Sequence, residues 1–179
     1  MSAAKTRSEP PLTFSVFPSG LGWMAVVTSG ATVKQLTFGH PSPAAARRAL
    51  GRGTLEHAMP GKRDTSLVQR LRAYASGTPD DFCDVAVDPG PVSKFRERIL
   101  DQCRKIPFGR TLSYAGLAAK AGFPRAARAV GNCMAGNRIP LIVPCHRVVR
   151  SDGRLGRYSA CGGTRMKRRL LALESGKLA

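Results

Sequence analysis

The sequence predicts an α/β N-terminal domain with a small sheet and helices, followed by a mostly α-helical C-terminal domain with a helix-turn-helix. Strand-like alternation dominates the first 90 residues, and helical periodicity takes over from Val92. The turn-forming stretch DPGP (Asp88–Pro91) lies between them. We therefore expect a flexible tail at 1–10, a support domain at 11–90 and a C-terminal domain at 91–179.

In the first half, LTFSVF (12–17) alternates between apolar and polar residues and predicts a strand. The run GWMAVVTSGATVKQLTF (22–38) predicts two strands around a turn at Ser29–Gly30. The other elements predicted here are a short helix over Ser42–Leu50, a loop over 51–64, a helix over Thr65–Gly77 and a strand over Phe82–Val87. No motif in this half indicates chemistry.

In the second half, SKFRERILDQCRKI (93–106) places apolar residues on one helical stripe. Two short helices are predicted over Leu112–Gly122 and Ala126–Gly136, separated by the chain-breaking FPR. Such a pair, joined by a Gly/Pro turn, favours a helix-turn-helix, although many short helix pairs are purely structural. A last helix is predicted over Thr164–Gly176.

The net charge of +18 is concentrated in the second half of the chain. Residues 1–91 carry 10 Lys/Arg and 7 Asp/Glu, whereas residues 92–179 carry 19 Lys/Arg and 4 Asp/Glu. This concentration indicates a polyanionic partner, with nucleic acid as the first expectation. A solubilising surface or an anionic lipid is the alternative, but no basic amphipathic helix with an aromatic-rich apolar face is found.

Composition also argues against several other classes of protein. No apolar run approaches the about 20 residues that cross a membrane, and the polar N-terminus lacks the apolar core of a secretory signal. We expect a cytoplasmic protein in a prokaryote or a nuclear one in a eukaryote. The five cysteines form no CxxC and the three histidines are scattered, so neither a disulfide framework nor a metal site is expected.

The stretch IPLIVPCHRVV (Ile139–Val149) places Cys145 beside His146 at the end of an apolar run. A free thiol has a pKa of about 8.5, so a neighbouring base or cation is needed to make it an effective nucleophile at neutral pH. His146 can accept the proton, directly or through one water, if a third group orients its ring. Spacing alone does not choose that group among four acids of this half: Glu97, Asp101, Asp152 and Glu174. A buried structural cysteine remains the alternative.

Three motifs together resemble the O6-alkylguanine-DNA alkyltransferases, also called methylated-DNA–protein-cysteine methyltransferases. These motifs are PCHRVV (144–149), ARAVGNCMAGN (127–137) and TLSYAGLAAKAG (111–122), and the likeness covers roughly residues 92–176. The first 90 residues match only in outline, as the family's ribonuclease-H-like N-terminal domain. The resemblance implies irreversible transfer of an alkyl group from O6-alkylguanine in DNA, and by extension from O4-alkylthymine, onto the protein's own cysteine.

The resemblance also assigns roles to residues. Cys145 would accept the alkyl group, His146 would withdraw its proton through a water, and Glu174 would orient His146. Asn137 would brace the active-site turn as a hinge.

Tyr114 would press on the phosphate backbone, hydrogen-bond the flipped base and supply a proton near its N3. Arg128 would fill the stack that the base leaves, on a thin helix face that also includes Ala127, Ala129 and Gly131. The pocket would be formed by Met134, Pro140, Val148 (whose carbonyl would read the guanine amino group), Tyr158 and Ser159.

The implied protein is a single-use monomer on double-stranded DNA, without cofactor or metal. Two departures from the family pattern stand out: Arg138 replaces a proline after the hinge, and Ala160–Cys161 lengthens the pocket loop. We expect Arg138 to loosen the turn or to add a phosphate contact. We expect Ala160–Cys161 to narrow the pocket or to place a second thiol near Cys145. Two other functions stay open, namely a lesion-binding protein that accepts no alkyl group and a Cys-His hydrolase.

Overall fold

The computed structural model describes residues 9–62 and 64–176. Residues 1–8 of the predicted tail lie outside them. The first half forms a four-stranded sheet of β1 (Leu12–Phe17), β2 (Trp23–Ser29), β3 (Thr32–His40) and β4 (Ala58–Pro60), in the order β3-β2-β1-β4. The strands β1, β2 and β3 pair antiparallel, and β4 adds to β1 in parallel. The prediction of a mixed α/β half followed by a mostly helical half is confirmed at this level.

Both faces of the sheet are buried, which explains why β2 reads as a continuous apolar run. Ala25 and Val27 face a small cluster that includes Ala46 of α1 (Pro43–Arg48). Met24 and Val26 face the opposite way, into the main core. Side chains alternate across a strand, so a strand that is covered on both faces needs apolar residues at every position.

Helices with side-chain caps begin close to their predicted positions. Ser42 caps α1, Thr65 caps α3 (Ser66–Ala75) and Ser93 caps α4 (Lys94–Arg104), each by accepting a hydrogen bond from a backbone N–H in the first turn. The last helix, α7, spans Gly163–Glu174.

The prediction of a loop over 51–64 is wrong for the first part of this segment. The helix α2 (Arg52–His57) leads directly into β4. This edge strand is only three residues long and owes its conformation to pairing with β1, which local propensity does not encode.

The strand predicted over Phe82–Val87 is also wrong. Phe82 adopts a positive φ of 49°, and Val85 donates its N–H to the Phe82 carbonyl at 3.1 Å, which makes a turn. Val87 makes a single bridge to Val33 of β3. Apolar and polar residues alternate in this segment because Phe82 enters the core from a loop, with Val85 and Val87 packed against the same core. The Arg104 guanidinium holds the loop by donating to the carbonyls of Phe82, Cys83 and Val85.

The helix predicted from Leu112 begins two residues later, as α5 (Tyr114–Lys120). Ser113 is its N-cap and accepts a hydrogen bond from the Gly116 N–H at 2.9 Å. Leu112–Ser113 instead form β5, which pairs in parallel with β6 (Val148–Val149). This short ladder joins the start of α5 to the segment that follows Cys145.

A turn connects α5 to α6 (Ala127–Ala135), and both helices pack against α4. The main core runs across the expected domain boundary without a break, from Phe17 and Leu71 in the first half to Leu117 and Leu170 in the second. The boundary near residue 90 therefore stays a prediction, since the two halves share one apolar core. None of the described helices is long and apolar enough to span a lipid bilayer.

We predict that Arg104→Ala lowers the free energy of unfolding by about 1 to 2 kcal/mol, because three loop carbonyls lose a shared donor. Equilibrium urea unfolding measures this change. Lys94→Ala, at an exposed position of the same helix, is the matched control and should change stability by less than about 0.5 kcal/mol. Equal losses in the two variants would contradict the anchoring role of Arg104.

Candidate active site

Cys145 begins a single 3₁₀ turn, Cys145–Arg147, directly after Pro144. The turn is held by Asn137, whose Nδ2 donates to the Val143 carbonyl at 2.8 Å and contacts Cys145 Sγ at 3.0 Å. The Asn137 Oδ1 accepts the N–H of Ile139 at 3.0 Å. One side chain at the end of α6 thus connects the helix, the apolar run and the thiol.

The apolar run before the cysteine contains a strained residue. Leu141 has a φ of 71°, in the left-handed region that β-carbon sterics disfavour, and is 1% exposed. The Val143 N–H donates to the Ile139 carbonyl at 2.9 Å, which closes the loop around Leu141. Burial and the Asn137 contacts stabilise this conformation and so set the position of Cys145.

The thiol of Cys145 is buried, and burial raises its pKa above the ordinary value. The Asn137 hydrogen bond and the charge of Lys167 act in the opposite direction without overcoming burial. At neutral pH the resting group is therefore a thiol, and a base is required to generate the nucleophile.

His146 is fully buried behind Cys145, and its Nε2 lies 2.9 Å from Glu174 Oε1. Burial lowers the pKa of His146, against the opposing effect of Glu174. The imidazole is therefore neutral near pH 7 and can accept a proton. Its Nδ1 is buried and makes no hydrogen bond to the described residues, so this nitrogen is available as the base.

Glu174 is the acid that contacts His146, among the four that spacing left open. Burial raises its pKa, but hydrogen bonds and charge from His146 and Arg147 outweigh this effect and lower it to about 2. The backbone N–H of Gly109 donates to its Oε2 at 3.1 Å. The carboxylate is therefore ionised at every physiological pH.

Arg147 is fully buried and carries the network into the first half of the chain. Its Nε donates to Glu174 Oε2 at 3.0 Å, and its Nη1 donates to Asp81 Oδ1 at 3.0 Å. Arg147 follows Cys145 and His146 directly in the chain, which makes it a candidate cation for the thiol. The guanidinium instead serves Glu174 and Asp81, and Lys167 is the cation that acts on Cys145.

Lys167 was missed by sequence reasoning. It is fully buried, donates to the Val148 carbonyl at 2.5 Å and lies 3.5 Å from the Tyr114 hydroxyl. Burial lowers its pKa to about 8. A signal was present, because residues 167, 170 and 174 follow one stripe of the last helix, and a lysine on a buried stripe requires a partner.

Cys145 opens onto a cleft of about 760 Å³. Seven of the residues predicted from the family resemblance line it together with Cys145: Tyr114, Ala127, Arg128, Gly131, Met134, Tyr158 and Ser159. Gly156 completes the wall beside Tyr114; a β-carbon there would lie 2.8 Å from the tyrosine hydroxyl, so only glycine fits. Arg128 and Ala129 are exposed on α6.

The structure places two predicted pocket residues differently. Pro140 is buried and lines a separate cleft of about 310 Å³, which shares Tyr158 and Ser159 with the cleft at Cys145. Val148 is fully buried, and its carbonyl, predicted to read a base, already accepts a hydrogen bond from Lys167. A carbonyl oxygen has a second lone pair, which leaves room for one more donor.

The two departures from the family pattern lie against β3. The Arg138 carbonyl accepts the Leu36 N–H at 2.9 Å, and its guanidinium donates to Gln35 at 3.2 Å, so Arg138 tethers the turn and does not loosen it. Ala160 lines the smaller cleft, and Cys161 is an exposed free thiol whereas Cys145 is buried.

Comparison with known proteins places these features in context. Residues 94–176 match the family model described as the DNA-binding domain of 6-O-methylguanine DNA methyltransferase. The chain is 39% identical over 108 residues to a methylated-DNA–protein-cysteine methyltransferase of Methanothermobacter thermautotrophicus, covering 60% of this chain and 59% of that protein. It is 53% identical over 81 residues to the mouse protein of that name, covering 45% of this chain and 38% of the relative. Each match thus spans less than two thirds of the relative.

Solved structures match over nearly the whole chain. The Mycobacterium tuberculosis OGT crystallised in complex with DNA has a TM-score of 0.75 and 32% identity, and the match covers 92% of this chain and 94% of that one. An O6-methylguanine-DNA methyltransferase from Pyrococcus kodakaraensis has a TM-score of 0.69 and 26% identity, with 90% of this chain and 99% of that one covered. The likeness therefore extends to the N-terminal half.

We predict that Glu174→Gln flattens the loss of stability in acid. The carboxylate, whose side chain is 1% exposed, has a folded pKa of about 2 against an ordinary value of 4.5, so its contribution is present above pH 4.5 and is lost as pH falls towards 2. From about pH 5 to about pH 3, the wild type should lose about 2 kcal/mol more than the variant.

Urea unfolding at a series of pH values measures the difference. Glu97→Gln, on the exposed surface of α4, is the control and should keep the wild-type slope. Parallel curves for wild type and Glu174→Gln would contradict the assignment of a strongly lowered pKa to Glu174.

Proposed function

Because the chain belongs to the methylated-DNA–protein-cysteine methyltransferase family, we propose that it repairs DNA by moving the alkyl group of O6-alkylguanine onto its own Cys145. The observation that carries this proposal is the position of the Cys145 thiol in an open cleft, with the neutral His146 and ionised Glu174 behind it. O4-alkylthymine presents a similar alkyl–oxygen bond and is a second proposed substrate.

The reaction begins with the resting thiol. His146 takes the proton of Cys145 through one water at Nδ1, and Glu174 stabilises the imidazolium that forms. The thiolate attacks the alkyl carbon, so that a carbon–sulfur bond forms as the bond from that carbon to O6 breaks. The electron pair of the broken bond stays on the base, and Tyr114 donates a proton near N3 to neutralise it.

The product is a thioether, and no nucleophile placed at this site can break its alkyl–sulfur bond. Each molecule therefore acts once, and the reaction needs no cofactor. Lys167, 3.5 Å from the Tyr114 hydroxyl, is placed to help that tyrosine regain a proton.

Access to the alkyl group requires base flipping, because O6 of a stacked guanine is out of reach of a buried thiol. We propose that α5 and α6 form a helix-turn-helix, with α6 in the minor groove and Arg128 filling the gap in the stack. Gly131 supports this orientation. A β-carbon there would meet nothing within 4 Å, so the protein's own packing does not require a glycine that costs about 1 kcal/mol in a helix.

The proposed roles of the remaining residues follow from their positions. Asn137 holds the active-site turn, Met134 and the Tyr158–Ser159 loop wall the base pocket, and Val148 reads the guanine amino group with its free lone pair. The N-terminal sheet is proposed to be ribonuclease-H-like. The excess of Lys and Arg after residue 91 contributes phosphate contacts, so affinity for DNA should fall with rising salt.

We predict a stoichiometric mass gain of one methylene when the protein is mixed with a short duplex containing O6-methylguanine. Intact-protein mass spectrometry measures it. Cys145→Ser should abolish the gain, whereas Cys83→Ser, which removes an exposed thiol, should retain it. Tight binding of the duplex without a mass change would overturn alkyl transfer in favour of a lesion-binding protein.

We predict that Arg128→Ala slows methyl transfer from duplex DNA by about 10- to 100-fold, because the flipped state loses the side chain that replaces the base. Transfer from a single-stranded oligonucleotide should slow much less, since that base needs no flipping. Single-turnover kinetics with both substrates measure the contrast. Arg125→Ala removes an exposed charge in the preceding turn and should affect both substrates equally. An equal loss on both substrates for Arg128→Ala would refute the flipping role.

A further inference from the structure

We propose that Tyr74, in the N-terminal half, is a positioning residue that controls the proton on His146 by sharing one oxygen of Glu174 with it. The inference rests on the proposed function and deepens it, because it makes the first half of the chain part of the machinery that activates Cys145. Sequence reasoning found no chemistry in that half. The signal was a tyrosine on the buried stripe of α3, whose hydroxyl requires a partner.

The hydroxyl of Tyr74 is fixed in place. The residue is fully buried, and its ring packs against Phe82 at 5.6 Å and against Phe108 at 5.9 Å between centroids. Its Oη donates to Glu174 Oε1 at 2.5 Å and lies 3.2 Å from His146 Nε2. A residue separated from these two by 100 and 72 positions in the chain thus completes their contact.

Packing alone does not explain the hydroxyl. A phenylalanine would present the same ring to Phe82 and Phe108, and a buried hydroxyl loses free energy unless it is bonded. Glu174 does not need it either, because Arg147, Gly109 and His146 already supply donors to both carboxylate oxygens. The remaining feature that the hydroxyl changes is the bond between His146 and Glu174.

The hydroxyl acts on this bond in two ways. First, Oε1 accepts from Tyr74, from His146 and from Arg147, so each donor weakens the attraction of that oxygen for the others. A strong donor at 2.5 Å therefore reduces how firmly Glu174 holds a proton on His146. Second, Glu174 Oε1 and the oxygen of the Tyr74 hydroxyl both lie within reach of Nε2 as acceptors. They favour the tautomer with hydrogen on Nε2, which leaves Nδ1 as the base.

The other charged or titratable groups around His146 do not replace this effect. Glu174 and Lys167 lie on α7, Arg147 is the next residue of the turn, and Cys145 is the residue before. Arg147 and Lys167 both lower the pKa of His146 by repulsion. Burial and the neighbouring Glu174 raise the pKa of Tyr74 well above 10, so it stays a neutral donor at every working pH.

The test uses the full-length Tyr74→Phe protein. Removal of the donor should strengthen the pull of Glu174 on the His146 proton and raise the pKa of His146 by about 0.5 to 1 pH unit. Nitrogen-15 NMR titration of the histidine ring measures this shift directly. The acidic limb of the methyl-transfer rate should move upward by the same amount, while the Kd for the duplex stays within about 2-fold.

A second variant keeps the proposal testable if the phenylalanine variant fails to fold. 3-Fluorotyrosine at position 74 keeps the hydroxyl and makes it a stronger donor, so the pKa of His146 and the acidic limb should move downward. Phe82→Leu is the packing control; it alters the surroundings of the same ring, and it should lower stability with no change in either midpoint.

An unchanged His146 titration in Tyr74→Phe, or a downward shift, would overturn the proposal and leave Tyr74 a packing residue. Failure of the proposed function would look different. The wild-type protein would then accept no methyl group, yet the NMR titration would still report whether Tyr74 sets the His146 proton.

Discussion

The structure of the site depends on one buried carboxylate. Glu174 accepts hydrogen bonds from Tyr74 on α3, from Gly109 in the turn before β5, and from His146 and Arg147 in the 3₁₀ turn. An isolated carboxylate in such a place would be protonated or excluded from the core. The charged and hydrogen-bonded donors reverse that tendency and lower its pKa to about 2. Three separate segments therefore meet at α7 because each brings at least one donor to the same charge.

This arrangement joins the two halves of the chain through polar contacts as well as through the apolar core. Arg147 reaches from Glu174 to Asp81, and the same Asp81 oxygen accepts the Phe108 N–H at 2.6 Å. The apolar core is continuous between the halves. Displacement of α3 or of the 82–85 loop would therefore change the position of His146 as well as the stability of the chain.

The proposed chemistry and the proposed DNA contacts use different parts of the second half. The groups proposed to act on the alkyl bond are buried and few, and their pKa values depend on burial and short contacts. The groups proposed to hold DNA are exposed arginines and lysines, together with the thin surface of α6 around Gly131. Salt should strongly screen the exposed charges proposed to hold DNA, and should have very little effect on the buried groups proposed to act on the alkyl bond.

Sequence by itself determined the α/β first half and the mostly helical second half, the capped helices and the strands β1, β2 and β3, and it singled out Cys145 as the candidate nucleophile, because capping residues, periodicity and the PCHRVV motif are local features. It did not determine β4, β5 or the loop at 82–87, because short segments take their conformation from the partner they meet. It also did not determine the roles of Tyr74, Arg147 and Lys167. Those roles depend on the burial of polar groups and on contacts between residues far apart in the chain, which only the tertiary structure brings together.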